Sequence, residues 1–317
     1  MTGDLNPATQ VARTSATSLL DSNLQSRLAG LSFQTRRPLE GPVTGRHRSR
    51  QRGFSAEFAE HREYVPGDDV RYVDWKAYGR SDRYYLKEFE DETNFTCWLV
   101  LDTSESMSYR SGTATESKLD HARRAAAALA WLILRGADAV GLVTIAGKLG
   151  RLVPPSTQPS HLDQLNRAML DATPAGPSGL GAAFRDLATR LTRPAVVICF
   201  SDLFDDLNET AAGLEQLAWR GHDVAVLQVI DPAEEDFPFE EPTRFLGMEG
   251  EADQVVEPRA LAEAYRVEFR RFLDDISSRC RSMRMDHALL RSDVPLATSL
   301  PRFLEARLRH PARGAAP

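Results

Sequence analysis

An open α/β sheet with helices on both faces is the fold class this sequence predicts, and three observations predict it. From Phe95 onward, short apolar runs alternate with helical patterns, as parallel strands with crossover helices require. The first run, Leu99-Val100-Leu101, breaks off in Asp102-Thr103-Ser104-Glu105-Ser106, the kind of polar strand end at which open α/β sheets carry their sites. The chain is long enough and apolar enough for a sizeable core, with 317 residues, 42% of them hydrophobic and 26% charged.

The elements follow in order. Residues 1–17 have the Thr-, Ser- and Ala-rich composition of a disordered tail. A short amphipathic helix is expected next, with Leu19, Leu20, Leu24 and Leu28 on one face and Gly30 near its end. Residues 36–52 concentrate Arg36, Arg37, Arg46, Arg48, Arg50 and Arg52, after which charges of both signs mix up to Asn94. Residues 18–94 are therefore read as an extension ahead of the sheet domain, which spans 95–308 and leaves 309–317 as a tail. Within that domain Phe95–Leu101 reads as a buried strand and Leu119–Leu134 as an alanine-rich helix stopped by Gly136. Ala139–Ile145 is a second buried strand, and Leu149–Val153 a short edge strand ended by Pro154 and Pro155. Helical patterns cover 160–171 and 179–192. Ala195–Phe200 is a strand, Leu207–Arg220 a helix and Val224–Ile230 a strand. Residues 231–258, acidic and rich in Pro, Glu and Phe, read as an insertion or edge hairpin; helices are expected at 259–279 and at Leu300–Leu308.

The chemistry-bearing residues cluster at predicted strand ends. Asp102, Ser104 and Ser106 put one carboxylate and two hydroxyls after the first strand; Ser178 adds a hydroxyl and Asp202 a second carboxylate at the end of another strand. Hard oxygen donors with few negative charges suit Mg²⁺ or Mn²⁺ that keeps part of its water. Helix capping is the plain alternative for each, since Ser and Asp ahead of a helix accept backbone N–H groups without doing chemistry. Thr144 lies inside a strand and reads as packing.

Two segments carry a specific resemblance. One runs from Gly45-Arg46-His47-Arg48-Ser49-Arg50-Gln51-Arg52-Gly53-Phe54-Ser55-Ala56-Glu57-Phe58 into Arg62-Glu63-Tyr64-Val65-Pro66-Gly67-Asp68-Asp69-Val70-Arg71-Tyr72-Val73-Asp74-Trp75, then Arg80 and Lys87-Glu88-Phe89-Glu90. The other is the Asp102-x-Ser104-x-Ser106 run downstream. Together they resemble the domain-of-unknown-function 58 family, and the second resembles the metal-ion-dependent adhesion site of von Willebrand factor A domains. The resemblance implies a Rossmann-like von Willebrand factor A sheet behind a small N-terminal extension. It also implies a metal that a partner's carboxylate completes, and partnership with a MoxR-type AAA+ ATPase or its client in the maturation or assembly of other proteins. Many members of the family carry N-terminal membrane helices; this chain resembles the branch without them. Where the adhesion-site pattern has Thr in its second loop, this chain offers Ser178, which keeps the hydroxyl and loses the methyl. Asp202 supplies the third-loop carboxylate.

Other readings are weaker on chemistry. A phosphatase with Asp at its first strand end needs a general acid two residues on, where Ser104 stands. Gly141–Lys148 is not a phosphate loop, because its glycines are spaced wrongly and Leu149 replaces the magnesium-binding Ser or Thr. No Gly-x-Ser-x-Gly elbow exists, since Leu180 stands in the last position. The histidines are scattered. A metal-dependent hydrolase would need a base, and only Glu105 is near in sequence. A nucleic-acid binder would use the arginines, but acidic residues follow closely, no aromatic platform accompanies them, and the net charge is −6. The dense segment from Arg62 to Trp75 reads instead as a structural clasp with Trp75 buried. Cys97, Cys199 and Cys280 show no disulfide or zinc spacing and read as buried thiols of a reducing compartment. With no apolar run near about 18 residues, no membrane insertion is expected. The expectation is thus a cytoplasmic, non-enzymatic, metal-dependent interaction protein.

Overall fold

The computed structural model describes residues 19–36, 44–49, 57–64, 73–81, 83–93, 95–250 and 252–309. The tail 1–17, the segment beyond Arg309, the Pro66-Gly67-Asp68 turn with Asp69 and Arg71, and Arg37, Arg50 and Arg52 lie outside the described residues. The chain divides into two compact units, one drawn from 1–37 and 96–317 and the other from 38–95.

Helix α1 (Ser22–Leu28) belongs to the sheet-bearing unit, not to the extension with which its sequence position grouped it. Asp21 caps it, accepting the Leu24 N–H at 2.7 Å, and Leu24 and Leu28 are buried as the amphipathic spacing required.

The smaller unit holds strand β1 (Thr44–Ser49), strand β2 (Glu57–Glu63), helix α2 (Trp75–Ser81) and strand β3 (Tyr85–Thr93). Its strands form an antiparallel sheet in the order β1-β3-β2. Asp74 caps α2 by accepting the Ala77 N–H at 3.1 Å. Trp75 corrects the clasp expectation. It is 62% exposed, and its ring lies edge-on to Tyr78 and Tyr84 at centroid distances of 6.3 and 6.5 Å. Its place at the first turn of a short surface helix gives the indole tyrosines to lean on but no core to enter.

The larger unit alternates as predicted. Strand β4 (Thr96–Asp102) leads through a single 3₁₀ turn at Glu105–Ser108 to helix α3 (Lys118–Arg135), then to strands β5 (Ala139–Ala146) and β6 (Lys148–Ser156). Helices α4 (His161–Asp171) and α5 (Leu180–Arg190) follow, then strand β7 (Val196–Ser201), helix α6 (Leu207–Trp219) and strand β8 (Asp223–Ile230). The acidic segment holds a short helix α7 (Pro232–Asp236) and a hairpin of β9 (Thr243–Phe245) and β10 (Gln254–Val256). Helix α8 (Pro258–Ser282), strand β11 (Asp286–Arg291) and helix α9 (Leu296–Arg309) complete it.

The six-stranded sheet has the order β11-β8-β7-β4-β5-β6, parallel throughout except for the antiparallel edge strand β6. This is the open, Rossmann-like α/β sheet the sequence predicts, with helices between its strands. Strands β4, β7 and β8 are buried on both faces, which is why they read as unbroken apolar runs rather than alternating ones. Strand β6 outruns its prediction and includes Pro154 and Pro155, which an edge strand tolerates because one side needs no backbone donors. Strand β11 was not foreseen: Asp286-His287-Ala288-Leu289-Leu290-Arg291 is mostly half-buried and lacks both alternation and an apolar run. The three cysteines are buried free thiols. Among the described residues no helix is long and apolar enough to cross a membrane.

Helices α5 and α6 meet almost backbone to backbone. A Cβ on Gly181 would stand 2.5 Å from the Glu209 carbonyl oxygen, and one on Gly213 would stand 2.7 Å from that of Gly181. Gly181→Ala must therefore part the helices, and a loss of about 1–3 kcal/mol in denaturant unfolding is expected. Trp75→Ala, at an exposed position, should change stability by no more than about 0.5 kcal/mol in the same measurement.

Candidate functional site

The sheet's strand order reverses between β4 and β7: β5 and β6 lie beyond one, β8 and β11 beyond the other. Open α/β sheets have a crevice at the carboxyl ends of two such strands. Asp102 is the last residue of β4, and Asp202 follows the last residue of β7. Both carboxylates are thereby held at the switch point, and both are fully buried.

The loop after β4 is pinned on both sides. Thr103 donates its N–H and its hydroxyl to the Ile145 carbonyl at 2.7 and 2.9 Å. Its own carbonyl accepts the Ala175 N–H at 3.0 Å, and the Glu105 N–H donates to the Gly176 carbonyl at 3.0 Å. These bonds bring the segment carrying Ser178 against Ser104 and Ser106. Gly147 donates its N–H to the Ser178 carbonyl at 3.0 Å, and a Cβ on Gly179, at φ +57°, would stand 2.6 Å from the Gly147 oxygen. Only glycine fits that crossing.

The hydroxyls are not spent on helix caps. Ser104 precedes the 3₁₀ turn but makes no side-chain cap bond; its Oγ lies 3.1 Å from Ser106 Oγ. Ser178 is not the cap of α5: Gly179 holds that position, and the first N–H of the helix, from Leu180, goes to Asp205 at 2.6 Å. Asp202 does not cap α6 either, since Asp206 accepts the Asn208 and Glu209 N–H groups at 2.8 and 3.1 Å.

Each carboxylate is locally oriented. Asp102 Oδ1 accepts the Ser104 N–H at 2.9 Å, and Oδ2 accepts the Ser201 hydroxyl at 2.6 Å. Asp202 Oδ1 accepts the Phe204 N–H at 3.0 Å, and Oδ2 accepts Lys118 Nζ at 2.7 Å. Between them Leu203 sits at φ +61° with a buried side chain, a left-handed backbone that a non-glycine residue adopts only under constraint. Burial, and then the nearby Asp202 charge, push the Asp102 carboxyl above the usual range; the bonds from Ser201 and Ser104 pull back only part of that. Lys118 also bonds Glu234 at 2.5 Å and lies over the Phe204 ring at 4.8 Å. Burial would lower its pKa, but Asp202 and Glu234 outweigh burial and raise it, so the ammonium stays charged.

All five residues singled out in the sequence, Asp102, Ser104, Ser106, Ser178 and Asp202, thus stand at one edge of the sheet. Four companions were missed. Ser201 is hidden inside an apolar strand. Lys118 carried a signal, because a lysine at a helix N-terminus opposes the helix dipole unless acids hold it. Glu234 closes a capping box with Asp231, a local pattern that says nothing of Lys118. The fourth, Glu249, lies in the loop of the β9–β10 hairpin. Its Oε2 accepts the Ser178 N–H at 3.0 Å, and its Oε1 stands 3.4 Å from both the Ser178 hydroxyl and the Ser106 N–H.

The donor set decides which cation fits. The five groups singled out offer two carboxylates and three hydroxyls, with no sulfur and no imidazole; among the described residues no cluster of three or more His, Cys, Asp and Glu able to hold a metal occurs, at this edge or elsewhere, so an ion here would rest on the hydroxyls as much as on the acids. Such oxygen donors suit a hard divalent ion. Lys118→Ala would leave Asp202 and Glu234 buried without a counter-charge. A loss of about 3–5 kcal/mol in unfolding free energy is expected.

Comparison with known proteins places the chain. It is 31% identical over 221 residues to uncharacterized proteins of Mycobacterium tuberculosis, Rv1480, and Mycobacterium bovis, Mb1516, spanning 69% of this chain and 68% of each relative. Among solved structures it is similar to BatB from Bacteroides thetaiotaomicron, at 18% identity and a TM-score of 0.45 over 68% of this chain and all of that one. It is also similar to the SpRpn10 VWA domain, at 12% identity and a TM-score of 0.36 over 71% of this chain and 100% of that one. The family described as protein of unknown function DUF58 matches residues 60–276, most of the chain, and the chain belongs to it.

Proposed function

We propose that this protein is a non-enzymatic interaction module whose contact surface is a divalent cation at the carboxyl edge of the sheet. The observation that carries the reading is the meeting of Asp102, Ser104, Ser106, Ser178 and Asp202 at the switch point, with their hydroxyls unspent on helix caps. Asp102, Ser104 and Ser106 would hold Mg²⁺ or Mn²⁺, with Ser178 and Asp202 as ligands or as anchors of its water. An ion held by two carboxylates and neutral hydroxyls keeps much of its positive charge and so draws a further carboxylate. That electrophilicity is the chemistry it would supply; recognising an Asp or Glu on a partner is the use the protein would make of it.

A hydrolase built on the same ion would need a positioned base. Glu105, the nearest acid in sequence, is exposed; Asp202 and Glu234 are tied to Lys118, and Glu249 is held by the Ser178 and Ser106 N–H groups. The interaction reading is therefore the better supported. The resemblance of the signature segments favours a MoxR-type AAA+ ATPase, or a client of that ATPase, as the partner, with this chain acting as an adaptor in the maturation or assembly of other proteins.

The test is co-precipitation with the MoxR-type ATPase of the same organism in Mg²⁺, in EDTA and at high salt. The complex is expected to form in Mg²⁺, to dissociate in EDTA, and to be lost in Asp102→Ala while circular dichroism shows a folded chain. Loss at high salt with indifference to EDTA would assign docking to the arginine-rich segment instead. Survival in both EDTA and Asp102→Ala would remove the metal edge as the contact.

A further inference from the structure

Glu249 comes from a segment with no chemical motif of its own, yet its carboxylate rests on the hydroxyl edge. The hairpin that carries it is closed at its base: Arg244 pairs with Asp253 at 2.7 Å, and the Gly247 N–H donates to Asp253 at 3.2 Å. Gly250, at φ +102°, turns the chain back directly after Glu249. The hairpin in turn is seated by aromatic packing, with Phe245 stacked on Phe237 at 5.8 Å and Phe237 against Tyr265 of α8 at 4.4 Å. The hairpin thus delivers one carboxylate across 71 residues of sequence to Ser178 and 143 residues to Ser106. The side chain is half-buried, whereas Leu246 and Val255 on the same hairpin are 65% and 75% exposed. Of these three, only the carboxylate turns inward.

That position is chemically telling. Ser106 and Ser178 are members of the proposed donor set, and a carboxylate bonded to both stands where a partner's Asp or Glu would approach. Ser178 offers both its N–H and its hydroxyl to the same group. We propose that Glu249 is the chain's own ligand for the edge cation, a built-in carboxylate that takes the position a partner's acid must take. The inference rests on the metal-dependent reading above. Its consequence is that the free protein is self-occupied. A partner binds by exchanging its carboxylate for Glu249 and lifting residues 246–250, so binding couples to movement of that part of the hairpin. The partner chemistry is an acidic side chain on an exposed segment.

The experiment uses the full chain with Mn²⁺ alone, and then with acetate as a carboxylate probe, in wild type, Glu249→Gln and Asp102→Ala. Water-proton relaxation counts the exchanging waters on bound Mn²⁺, and amide hydrogen exchange follows residues 246–250. In wild type, Mn²⁺ should bind and slow exchange at the loop. In Glu249→Gln, Mn²⁺ should bind more weakly, relaxivity per bound ion should rise as water enters the freed position, and loop protection by Mn²⁺ should vanish. Acetate should reverse the relaxivity gain in Glu249→Gln and leave wild type nearly unchanged. Equal hydration and equal loop protection in wild type and Glu249→Gln, with Mn²⁺ binding still lost in Asp102→Ala, would overturn the Glu249 assignment and leave the metal edge standing. No Mn²⁺ binding by wild type would overturn both.

Discussion

Two carboxylates buried at the ends of adjacent central strands govern this architecture. Asp102 and Asp202 are fully buried at the point where the sheet reverses its order, and a buried charge must be compensated or neutralised. The fold answers with fixed donors. Ser201 and the Ser104 N–H hold Asp102; Lys118 and the Phe204 N–H hold Asp202. Lys118 is itself buried, so it needs Glu234, which the capping box at Asp231 holds in place. The result is a chain of dependencies running from the sheet edge into α3 and α7. With one lysine serving two acids, Asp102 has no cation of its own among the bonds that orient it, and burial pushes its carboxyl above the usual range.

The opposite edge of the same sheet solves the same problem without a vacancy for chemistry. Arg307 of α9, buried, pairs with Asp223 and Asp286 at the beginnings of β8 and β11. Arg36 pairs with Asp286 at 2.8 Å, and its N–H donates to Asp223 at 2.7 Å. Two guanidinium groups balance two acids, with Arg307 bridging both and Arg36 adding to Asp286, so the charges are matched without any further ion. This cluster also explains why residues up to Arg36 group with the sheet rather than with the extension. The contrast between the two ends is informative: one edge is saturated and mechanical, the other is organised around oxygen atoms with capacity to spare.

What could be read from the sequence followed burial. Strands β4, β5, β7 and β8, enclosed on both faces, stood out as apolar runs, and the helices between them showed their periods. The edge strand β11 did not, because a half-buried edge imposes no pattern on its six residues. Trp75 was misread because a dense stretch of charged and aromatic residues looks alike whether it folds inward or caps a surface helix; composition carries no direction. The five candidate residues could be placed at one sheet edge because strand ends localise them and short local motifs register them. Their companions were not, since Ser201, Lys118, Glu234 and Glu249 act through contacts that join distant parts of the chain.

Glu249 is the clearest case of that gap, and it changes what the site means. From the motif alone, the edge reads as an open receptor for a partner's acid. With the hairpin in place, Ser106 and Ser178 already face a carboxylate. An internal ligand tethered by a hairpin has a high effective concentration, so a weakly acidic or singly charged external group cannot compete with it. A partner must therefore bring additional contact surface to displace it, and the exposed Leu246 and Val255 on the same hairpin would become available or be buried in that exchange. On the proposed metal-dependent reading, specificity would arise from the hairpin as much as from the ion. The cation selects for a carboxylate, which is common on every protein surface. The loop that must move selects for the one partner able to hold it aside.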